Sequence, residues 1–320
     1  MEIGIPREVK EGEGRVAVTP EMVTTLVAAG HRITIERGAG AQAGYLDSAY
    51  AAAGAQIAPS PREVYAATFV LKVKEPQESE FGYLRTGQIL FCYLHLAANV
   101  RLARVLKEQR VLAVGYETVT DDEGRRPLLV PMSTLAGRIA VQEGAHHLGT
   151  PQGGKGVLIG RGRVVVLGAG TVGFNAAEVA IGMGAQVVVF DKSESALARI
   201  TGATTAVASP ESIAREIATA DLVIGAVFVP EQATPRLITR KMLKGMEPGS
   251  VFVDVGIDQG GCSQTSRPTT LSKPTYVEEG VIHYCVPNMP GAFPKSASAA
   301  LCQATLPYVL QIASAGKPVS

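Results

Sequence analysis

The segment RVVVLGAGTVGFNAAEVAIGMGAQVVVFD, residues 163–191, decides the fold. It opens with a short β-branched run, which predicts a buried strand. The run leads into Gly168-x-Gly170-x-x-Gly173, which is followed by helix-forming residues. A second apolar run then ends at Asp191. A strand, a glycine-rich turn, a helix and a second strand ending in an acid are typical of a dinucleotide-binding unit.

Each part of this segment has a predicted role. Gly168 allows the tight turn, Gly170 lets a pyrophosphate approach the backbone, and Gly173 lets the helix pack closely on the strand. The free N–H groups at the helix N-terminus attract phosphate. Asp191 is expected to accept hydrogen bonds from a ribose 2′-OH and to repel a 2′-phosphate, so NAD is favoured over NADP, although neighbouring Lys192 weakens that preference. The alternative is a strand–turn–helix that binds nothing.

The composition restricts the classes of protein. The chain has 320 residues, 46% of them hydrophobic, and a net charge of +1. That charge argues against a dedicated nucleic-acid surface. No apolar run is long enough for a membrane span, and the N-terminal residues enter a strand pattern with no signal-peptide core. We therefore expect a cytoplasmic protein of one large or two medium domains.

The cysteines and histidines do not form a metal-binding pattern. The four cysteines are far apart, mostly in apolar runs, with neither metal-ligand spacing nor a disulfide framework. The five histidines lack an HExxH motif. We expect no structural metal, and reduced, mostly buried thiols at Cys92, Cys262, Cys285 and Cys302.

Residues 1 to about 128 alternate strand and helix signals, which predicts a mostly parallel, doubly wound sheet. No glycine fingerprint follows any of these strands. Strands are expected over Glu2–Ile5, Arg32–Glu36, Phe69–Val73, Ile89–Leu94 and Val111–Tyr116. Helices are expected over Pro20–Ala29, Ser48–Ala53, Pro61–Ala66 and Val100–Gln109.

The rest of the chain continues this alternation. A helix over about Met132 to His147 is expected to link the halves, and a last helix over Ser296–Ala315 to return to the first domain. The α/β chain is thus predicted to form two doubly wound parallel-sheet domains across a cleft. They are a substrate (catalytic) domain, residues 1–128 plus 297–320, and a Rossmann NAD-binding domain, residues 129–296. Further parallel strands are expected over Asp221–Phe228, Ser250–Val255 and Ile282–Val286.

Polar residues that could carry chemistry fall near the predicted carboxyl ends of strands, where such sheets bind ligands. Arg15 follows the first strand, Lys74 the third, and His95 ends an apolar run. Asp258 lies just past another run, whereas Asp254, within that run, is simply explained by local hydrogen bonding. Each residue alone is commonly structural or solvated. Together they can grip a carboxylate and move protons, which suits an α-amino or α-hydroxy acid beside a nicotinamide.

Several longer stretches carry a family resemblance. They include GIPREVKEGEGRVAVTP, LKVKEP, GQILFCYLHLAA, YETV, PLLVPMSTLAGRIA, VDVGIDQGGC and HYCVPNMPGAFP. With these stretches the chain resembles the alanine dehydrogenase/pyridine nucleotide transhydrogenase family, and within it the L-alanine dehydrogenases, from residue 1 to about 310. The resemblance implies reversible oxidative deamination, in which L-alanine, NAD+ and water give pyruvate, ammonium and NADH.

The resemblance also implies roles for individual residues. His95 and Asp258 would be catalytic, His95 passing protons and Asp258 orienting or deprotonating water. Glu8 would orient Arg15. The substrate would contact Arg15, Lys74, Tyr93, Met132 and Asn288. The cofactor NAD would contact Ser133, Gly168, Gly170, Thr171, Val172, Gly173, Asp191, Lys192, Val227, Ile257, Asp258, Asn288 and Met289.

The implied assembly is a cytoplasmic homohexamer, with no nucleic-acid or membrane partner, whose domains close over the substrate. Three segments are shorter than in the family pattern: between Gly160 and Arg163, between Asp191 and Asp221, and after Lys317. They remove no matched catalytic residue. We expect them to act on adenosine contacts, domain packing or the hexamer, and the first of them chiefly on NAD affinity.

Three other functions are compatible with parts of the sequence. One is the nucleotide-binding portion of a transhydrogenase, which needs a membrane partner and no amino-acid pocket. Another is a dehydrogenase of the same family for another small amino acid, such as glycine with glyoxylate as product, which pocket size would decide. The third is a catalytically silent NAD-binding or structural protein. The joint presence of Arg15, Lys74, His95 and Asp258 favours the alanine dehydrogenase.

Overall fold

The computed structural model describes residues 1–96, 99–227 and 234–315. The chain divides into two compact units, each built on one sheet covered by helices. One unit is Met1–Met132 with Gly291–Ser320, and the other is Ser133–Pro290. The α/β class with two parallel sheets is confirmed.

The first unit contains a six-stranded sheet. Its strands are β1 (Glu2–Ile5), β2 (Arg32–Glu36), β3 (Gln56–Ala58), β4 (Phe69–Leu71), β5 (Ile89–Cys92) and β6 (Leu112–Gly115). All pairings are parallel, in the order β3-β2-β1-β4-β5-β6. Strands therefore run outward on both sides of β1, the doubly wound arrangement. The predicted bounds of β1 and β2 are confirmed, β4 to β6 are shorter than predicted, and β3 was not predicted.

Four helices connect these strands, and all four were predicted to within two residues at each end. They are α1 (Pro20–Ala28), α2 (Asp47–Ala52), α3 (Pro61–Val64) and α4 (Val100–Glu108). The side chain of Thr19 caps α1 by accepting from the Met22 N–H at 3.3 Å, and Pro20 occupies a first-turn position that needs no N–H donor. The Asn99 side chain caps α4 in the same way, from the Leu102 N–H at 3.0 Å.

The second unit starts in helix α5 (Val130–His147), and its sheet has seven strands. The strands are β7 (Arg163–Leu167), β8 (Gln186–Asp191), β9 (Thr204–Val207), β10 (Leu222–Gly225), β11 (Val251–Asp254), β12 (Thr275–Glu278) and β13 (Val281–Tyr284). Their order is β12-β13-β11-β10-β7-β8-β9, and only the edge strand β12 pairs antiparallel. Phe228, at the end of one predicted strand, lies outside the described residues.

The remaining helices are α6 (Thr171–Gly182), α7 (Glu194–Leu197), α8 (Pro210–Ile217), α9 (Arg240–Lys244) and α10 (Pro294–Ala315). Although α10 comes last in the chain, its residues Leu301, Cys302 and Val309 belong to the core of the first unit. All four cysteines are buried and free, as predicted. In the described part of the chain, no helix combines the length and the apolar character that crossing a membrane requires.

An ion network is buried beside the carboxyl end of β4. The Lys72 side chain is fully buried and lies 3.0 Å from Glu80 Oε1 and 3.2 Å from Glu8 Oε2. Glu80 also accepts from the Tyr65 hydroxyl at 2.8 Å, and Glu8 accepts from the Val73 N–H at 2.7 Å. Burial alone would lower the pKa of Lys72, but the two carboxylates outweigh it and raise the pKa. Lys72 therefore keeps its charge, whereas burial raises the pKa of Glu8. The network ties the loop after β1 to the end of β4.

Lys72→Ala is expected to destabilise the first unit strongly, because it leaves two buried carboxylates without their cation. Removing one member of a buried ion pair costs about 3–5 kcal/mol. Urea unfolding followed by circular dichroism measures the change. The matched control is Lys107→Ala, at an exposed position in α4, which should stay within about 0.5 kcal/mol of the parent. Equal losses in both variants would contradict a structural role for the network.

Candidate active site

The glycine turn of the second unit leaves no room for side chains at two of its positions. Gly168 has a left-handed φ of 106°, and a Cβ there would lie 2.5 Å from the carbonyl oxygen of Ala226. A Cβ at Gly173 would lie 1.7 Å from the carbonyl oxygen of Gly168. The first glycine thus serves the turn and the third serves close packing of α6 on β7, as the sequence predicted.

Gly170 has the opposite environment. A Cβ at this position would meet nothing within 4 Å, and the residue is the exposed N-cap of α6 with no side-chain cap. The first N–H groups of a helix have no partner within the helix, and this end carries its positive dipole. An open space beside uncapped N–H groups fits a phosphate-bearing ligand. Thr171 and Val172, both half-buried, form the first turn of α6.

Asp191 supports the turn directly. Its Oδ2 accepts from the Ala169 N–H at 2.6 Å, and its Oδ1 accepts from the Ser193 N–H at 2.8 Å. The Ala169 carbonyl accepts from Arg199 Nη2 at 3.0 Å. Because each carboxylate oxygen can accept more than one hydrogen bond, the half-buried Asp191 retains acceptor capacity for a hydroxyl. Lys192 beside it is exposed.

Asp254 has the local role that its position in an apolar run suggested. It is fully buried at the end of β11 and accepts from the Gly256 N–H at 3.1 Å and the Cys262 N–H at 2.9 Å. The Ser266 hydroxyl donates to it at 2.5 Å. Burial raises the pKa of Asp254 despite these hydrogen bonds. The residue therefore shapes the loop after β11.

Asp258 lies in that loop, in the 3₁₀ turn Val255–Gln259, with its side chain exposed. Its Oδ2 accepts from the Asn288 N–H at 3.4 Å, and Asn288 has a left-handed φ of 54°. Two residues of the predicted site are thus in contact, although they are 30 positions apart. Their neighbours Ile257 and Met289 are buried. Ser133 and Val227 were also predicted to contact the cofactor, and both are half-buried.

Arg15 in the first unit is held by an acid. Its Nε donates to Glu13 Oε1 at 2.6 Å, and its Nη2 pairs with Glu13 Oε2. Both side chains are 1% exposed. Arg15 Nη1 also lies 3.0 Å from the sulfur of Met132. Glu13, rather than the expected Glu8, therefore orients Arg15, because Glu8 is engaged by the buried Lys72 and by backbone N–H groups.

Lys74 and Tyr93 form the next part of this group. Lys74 Nζ lies 5.9 Å from the centre of the Tyr93 ring, and the Tyr93 hydroxyl donates to the Leu128 carbonyl at 2.7 Å. Burial and the positive charge of Arg15 lower the pKa of Lys74. The positive charges of Arg15 and Lys74 thus repel each other where little water screens them. A bound anion would reduce this repulsion.

His95 follows Tyr93 by two residues, and their rings stack at 6.1 Å with an interplanar angle of 16°. Burial, and then the charge of Lys74, lower the pKa of His95 below its ordinary value. The imidazole is therefore neutral at pH 7 and able to accept a proton. The first unit thus brings together the predicted Arg15, Lys74, Tyr93, His95 and Met132, whereas Asp258 and Asn288 belong to the second unit.

Sequence reasoning missed two acids of this region. Glu13 lies only two residues before Arg15, a spacing that could have suggested the pair. Glu117 accepts from the backbone N–H groups of Leu94 and His95. It lies within the YETV stretch, where nothing in the local pattern indicates a partner 22 residues earlier.

The doubly wound sheets and the glycine turn define a two-domain α/β protein of the dinucleotide-binding class. The family model described as "Alanine dehydrogenase/PNT, N-terminal domain" matches residues 4–136. The model described as "Alanine dehydrogenase/PNT, C-terminal domain" matches residues 140–319. The chain belongs to the alanine dehydrogenase/PNT family.

Individual relatives agree with this membership. The chain is 47% identical to the alanine dehydrogenase of Bacillus subtilis (strain 168) over 329 residues, covering 99% of this chain and 86% of that protein. A solved structure of an L-alanine dehydrogenase matches with a TM-score of 0.96 and 45% identity, covering 99% of this chain and 91% of that one. A transhydrogenase structure from Sinorhizobium meliloti matches with a TM-score of 0.88 and 26% identity, covering 98% and 94%.

Glu13→Gln is expected to lower the free energy of unfolding by roughly 1.5–3 kcal/mol at pH 7, the value of a hydrogen bond to a charged group. The pKa of Glu13 is lowered in the folded state by Arg15, despite burial, from an ordinary value of 4.5. A lowered pKa stabilises the folded state above the unfolded value, and the contribution is lost as the pH falls through the folded value. The difference between parent and variant should therefore shrink below pH 4.5.

Urea unfolding at several pH values measures this effect. Glu11→Gln, an exposed acid in the same loop, is the matched control and should match the parent throughout. A pH-independent deficit in Glu13→Gln would show that the side chain contributes by packing alone.

Proposed function

We propose that this chain is an NAD-dependent L-alanine dehydrogenase, which converts L-alanine, NAD+ and water reversibly into pyruvate, ammonium and NADH. One observation carries the proposal: the first unit groups Arg15, Lys74 and Tyr93 beside a neutral His95. A cation pair next to a proton acceptor is what an amino acid carboxylate and amine require. Membership of the family along nearly the whole chain supports it.

Arg15 and Lys74 bind the substrate carboxylate in this proposal. Glu13 holds the Arg15 guanidinium in one orientation, so little side-chain entropy is lost when the anion binds. Lys74, whose pKa is lowered by burial and by Arg15, gains a partner for its charge. The contact of Arg15 with Met132 and the position of Lys74 near the Tyr93 ring give the pocket apolar walls. A short side chain such as the alanine methyl suits those walls.

His95 and Asp258 move protons and water. The neutral imidazole of His95 accepts a proton when the substrate amine or the carbinolamine releases one. Asp258 orients the water that attacks the iminium, and its link to the Asn288 N–H sets the position of its carboxylate. Asn288 is assigned a contact with the substrate and one with NAD. In the reverse direction the same groups return the protons.

The second unit holds NAD in this proposal. Bound NAD+ supplies the acceptor for the hydride that leaves the alanine Cα. The open N-terminus of α6 holds the pyrophosphate, and Asp191 binds a ribose hydroxyl while it supports the turn. The further cofactor contacts are assigned to Ser133, Gly168, Gly170, Thr171, Val172, Gly173, Lys192, Val227, Ile257, Asp258, Asn288 and Met289.

The active protein is proposed to be a cytoplasmic homohexamer without membrane or nucleic-acid partners. The family resemblance supports the assembly, and four buried free thiols suit a reducing compartment. The first unit, residues 1–132 plus 291–320, binds the substrate in this proposal, and the second unit, residues 133–290, binds NAD.

Activity is tested by mixing the protein with NAD+ and L-alanine and following NADH absorbance at neutral to alkaline pH. L-Alanine should be oxidised, with glycine, serine and 2-aminobutyrate much slower. His95→Ala should lower kcat by at least about 100-fold, the usual contribution of general acid–base catalysis, with NAD affinity unchanged. If the parent forms no NADH with L-alanine, the proposal is refuted. If another amino acid is oxidised faster, that amino acid is the substrate instead of L-alanine.

Gly170→Ala should leave the fold intact and weaken NAD binding by at least about tenfold, since the added methyl occupies the space proposed for the pyrophosphate. The backbone of Gly170 has φ −68°, which alanine adopts without strain. Isothermal titration calorimetry with NAD+ measures the affinity, and thermal melting measures the fold. Gly182→Ala, in the same helix and equally open, should bind NAD like the parent. Unchanged affinity in Gly170→Ala would place the phosphates elsewhere.

A further inference from the structure

Glu117 is attached to the backbone that carries His95. It lies in the 3₁₀ turn Tyr116–Thr118, directly after β6. Its Oε1 accepts from the His95 N–H at 2.7 Å and from the Leu94 N–H at 3.1 Å, and its Oε2 lies 3.2 Å from the same Leu94 nitrogen. Strands β5 and β6 are parallel neighbours, with Cys92 opposite Gly115. One carboxylate therefore ties together the ends of two strands.

The backbone of His95 needs such support. Its φ is 47°, in the left-handed region that L-residues adopt at a cost of about 1–2 kcal/mol. Residues keep such conformations when several contacts with the surrounding structure hold them in place. The Glu117 carboxylate accepts the N–H groups of two successive peptide units, Tyr93–Leu94 and Leu94–His95, and hydrogen bonds to a charged acceptor are the strong ones. The direction in which the imidazole leaves the chain therefore depends on Glu117.

The turn is shaped to hold this carboxylate. A Cβ at Gly115 would lie 3.1 Å from both the Cδ and the Oε2 of Glu117, so glycine leaves it room. The Thr118 hydroxyl donates to the Gly115 carbonyl at 2.8 Å and closes the turn. Tyr116 is buried, edge-on to Tyr93 at 4.9 Å. Both neighbours of Glu117 are thus fixed by packing or hydrogen bonding.

We propose that Glu117 is a positioning residue for the reaction: its carboxylate holds the left-handed backbone of His95 and so aims the imidazole for proton transfer. The inference rests on the proposed function only in that His95 acts on a bound amino acid. Glu117 itself touches backbone N–H groups, not substrate.

The charge of Glu117 has a second effect, on the protonation of His95. The groups that face His95 are Lys74 and Lys10, which lower its pKa, and Glu117 and Glu75, which raise it, with the Tyr93 ring stacked alongside. Burial is the largest influence and lowers the pKa. Glu117 therefore opposes burial and Lys74. Removing its charge should lower the pKa of His95 further and move the acidic limb of kcat/KM to lower pH.

Three variants separate position from charge. Glu117→Ala removes both acceptor oxygens and should lower kcat by about 100-fold, the cost of misplacing a catalytic group, with the KM for NAD unchanged. Glu117→Gln keeps one oxygen that can accept both N–H groups, so it should recover most of kcat but show the acidic limb at lower pH. Glu108→Gln, at an exposed acid of the same unit, should behave like the parent.

Coupling to His95 distinguishes positioning from general damage. In a His95→Ala background, Glu117→Ala should cause no further loss of kcat, because the group that it aims is gone. Additive losses would overturn the proposal. Wild-type kcat in Glu117→Ala would overturn it as well.

A measurement independent of turnover completes the test. Diethyl pyrocarbonate modifies neutral imidazoles. Peptide mass spectrometry distinguishes the modification of His95 from that of the other histidines among the five in the chain. Its pH midpoint should fall in Glu117→Gln and stay unchanged in Glu108→Gln. An unchanged midpoint in Glu117→Gln contradicts the electrostatic part of the inference. A parent that does not oxidise L-alanine refutes the proposed function, while this labelling still tests the link between Glu117 and His95.

Discussion

The buried pairing of Lys72 with Glu8 and Glu80 is the interaction on which the first unit depends. Glu8 accepts from the N–H groups of Val73 and Lys74 at 2.7 and 3.4 Å, so it connects the loop after β1 to the end of β4. Those two segments carry Arg15 and Lys74. That connection adds to the direct pairing of β1 with β4 in fixing the backbone from which the two cations extend. Three buried ionisable side chains are tolerated here because each is paired and hydrogen-bonded, as desolvation requires.

Five strands of each sheet run in the same order, β3-β2-β1-β4-β5 in the first unit and β9-β8-β7-β10-β11 in the second, but the segments after the first strand differ. In each unit, an acid at the end of the second strand accepts a hydrogen bond from a backbone N–H two residues beyond the end of the first strand. Glu36 accepts from the Arg7 N–H at 2.9 Å, and Asp191 accepts from the Ala169 N–H at 2.6 Å. In the second unit, helix α6 begins at once and presents its N-terminus. In the first unit, α1 begins only at Pro20. The intervening loop contains Glu8, Glu13 and Arg15 instead, so charged side chains stand where the second unit presents helix N–H groups.

Local patterns predicted the parts of this protein that local physics determines. The β-branched runs indicated the buried strands, and the glycine spacing indicated the turn, because Gly168 and Gly173 are forced by close backbone contacts. Strand β3, with only three residues, and edge strand β9, with largely exposed side chains, gave no such signal. Their strand geometry comes from pairing with β2 and β8.

The sequence suggests members of the candidate site, but it does not reveal the side chains that support them. Arg15, Lys74 and His95 stand out as polar residues after apolar runs, whereas their partners are set by tertiary contacts. The expectation that Glu8 orients Arg15 was wrong: the Arg15 guanidinium is held by Glu13, and Glu8 pairs with the buried Lys72. Glu117 acts on residues 22 and 23 positions earlier through the pairing of β5 with β6, and sequence spacing alone does not reveal such a contact.

The burial of all four thiols affects how the folded chain responds to oxidants. Burial raises the pKa of Cys92 and Cys262 well above the ordinary value, and that of Cys285 and Cys302 to about 12. Peroxides and alkylating agents react with the thiolate, which is scarce and shielded at each position. Redox stress would therefore leave these four thiols unmodified in the folded protein, and cysteine chemistry would begin only where the chain opens.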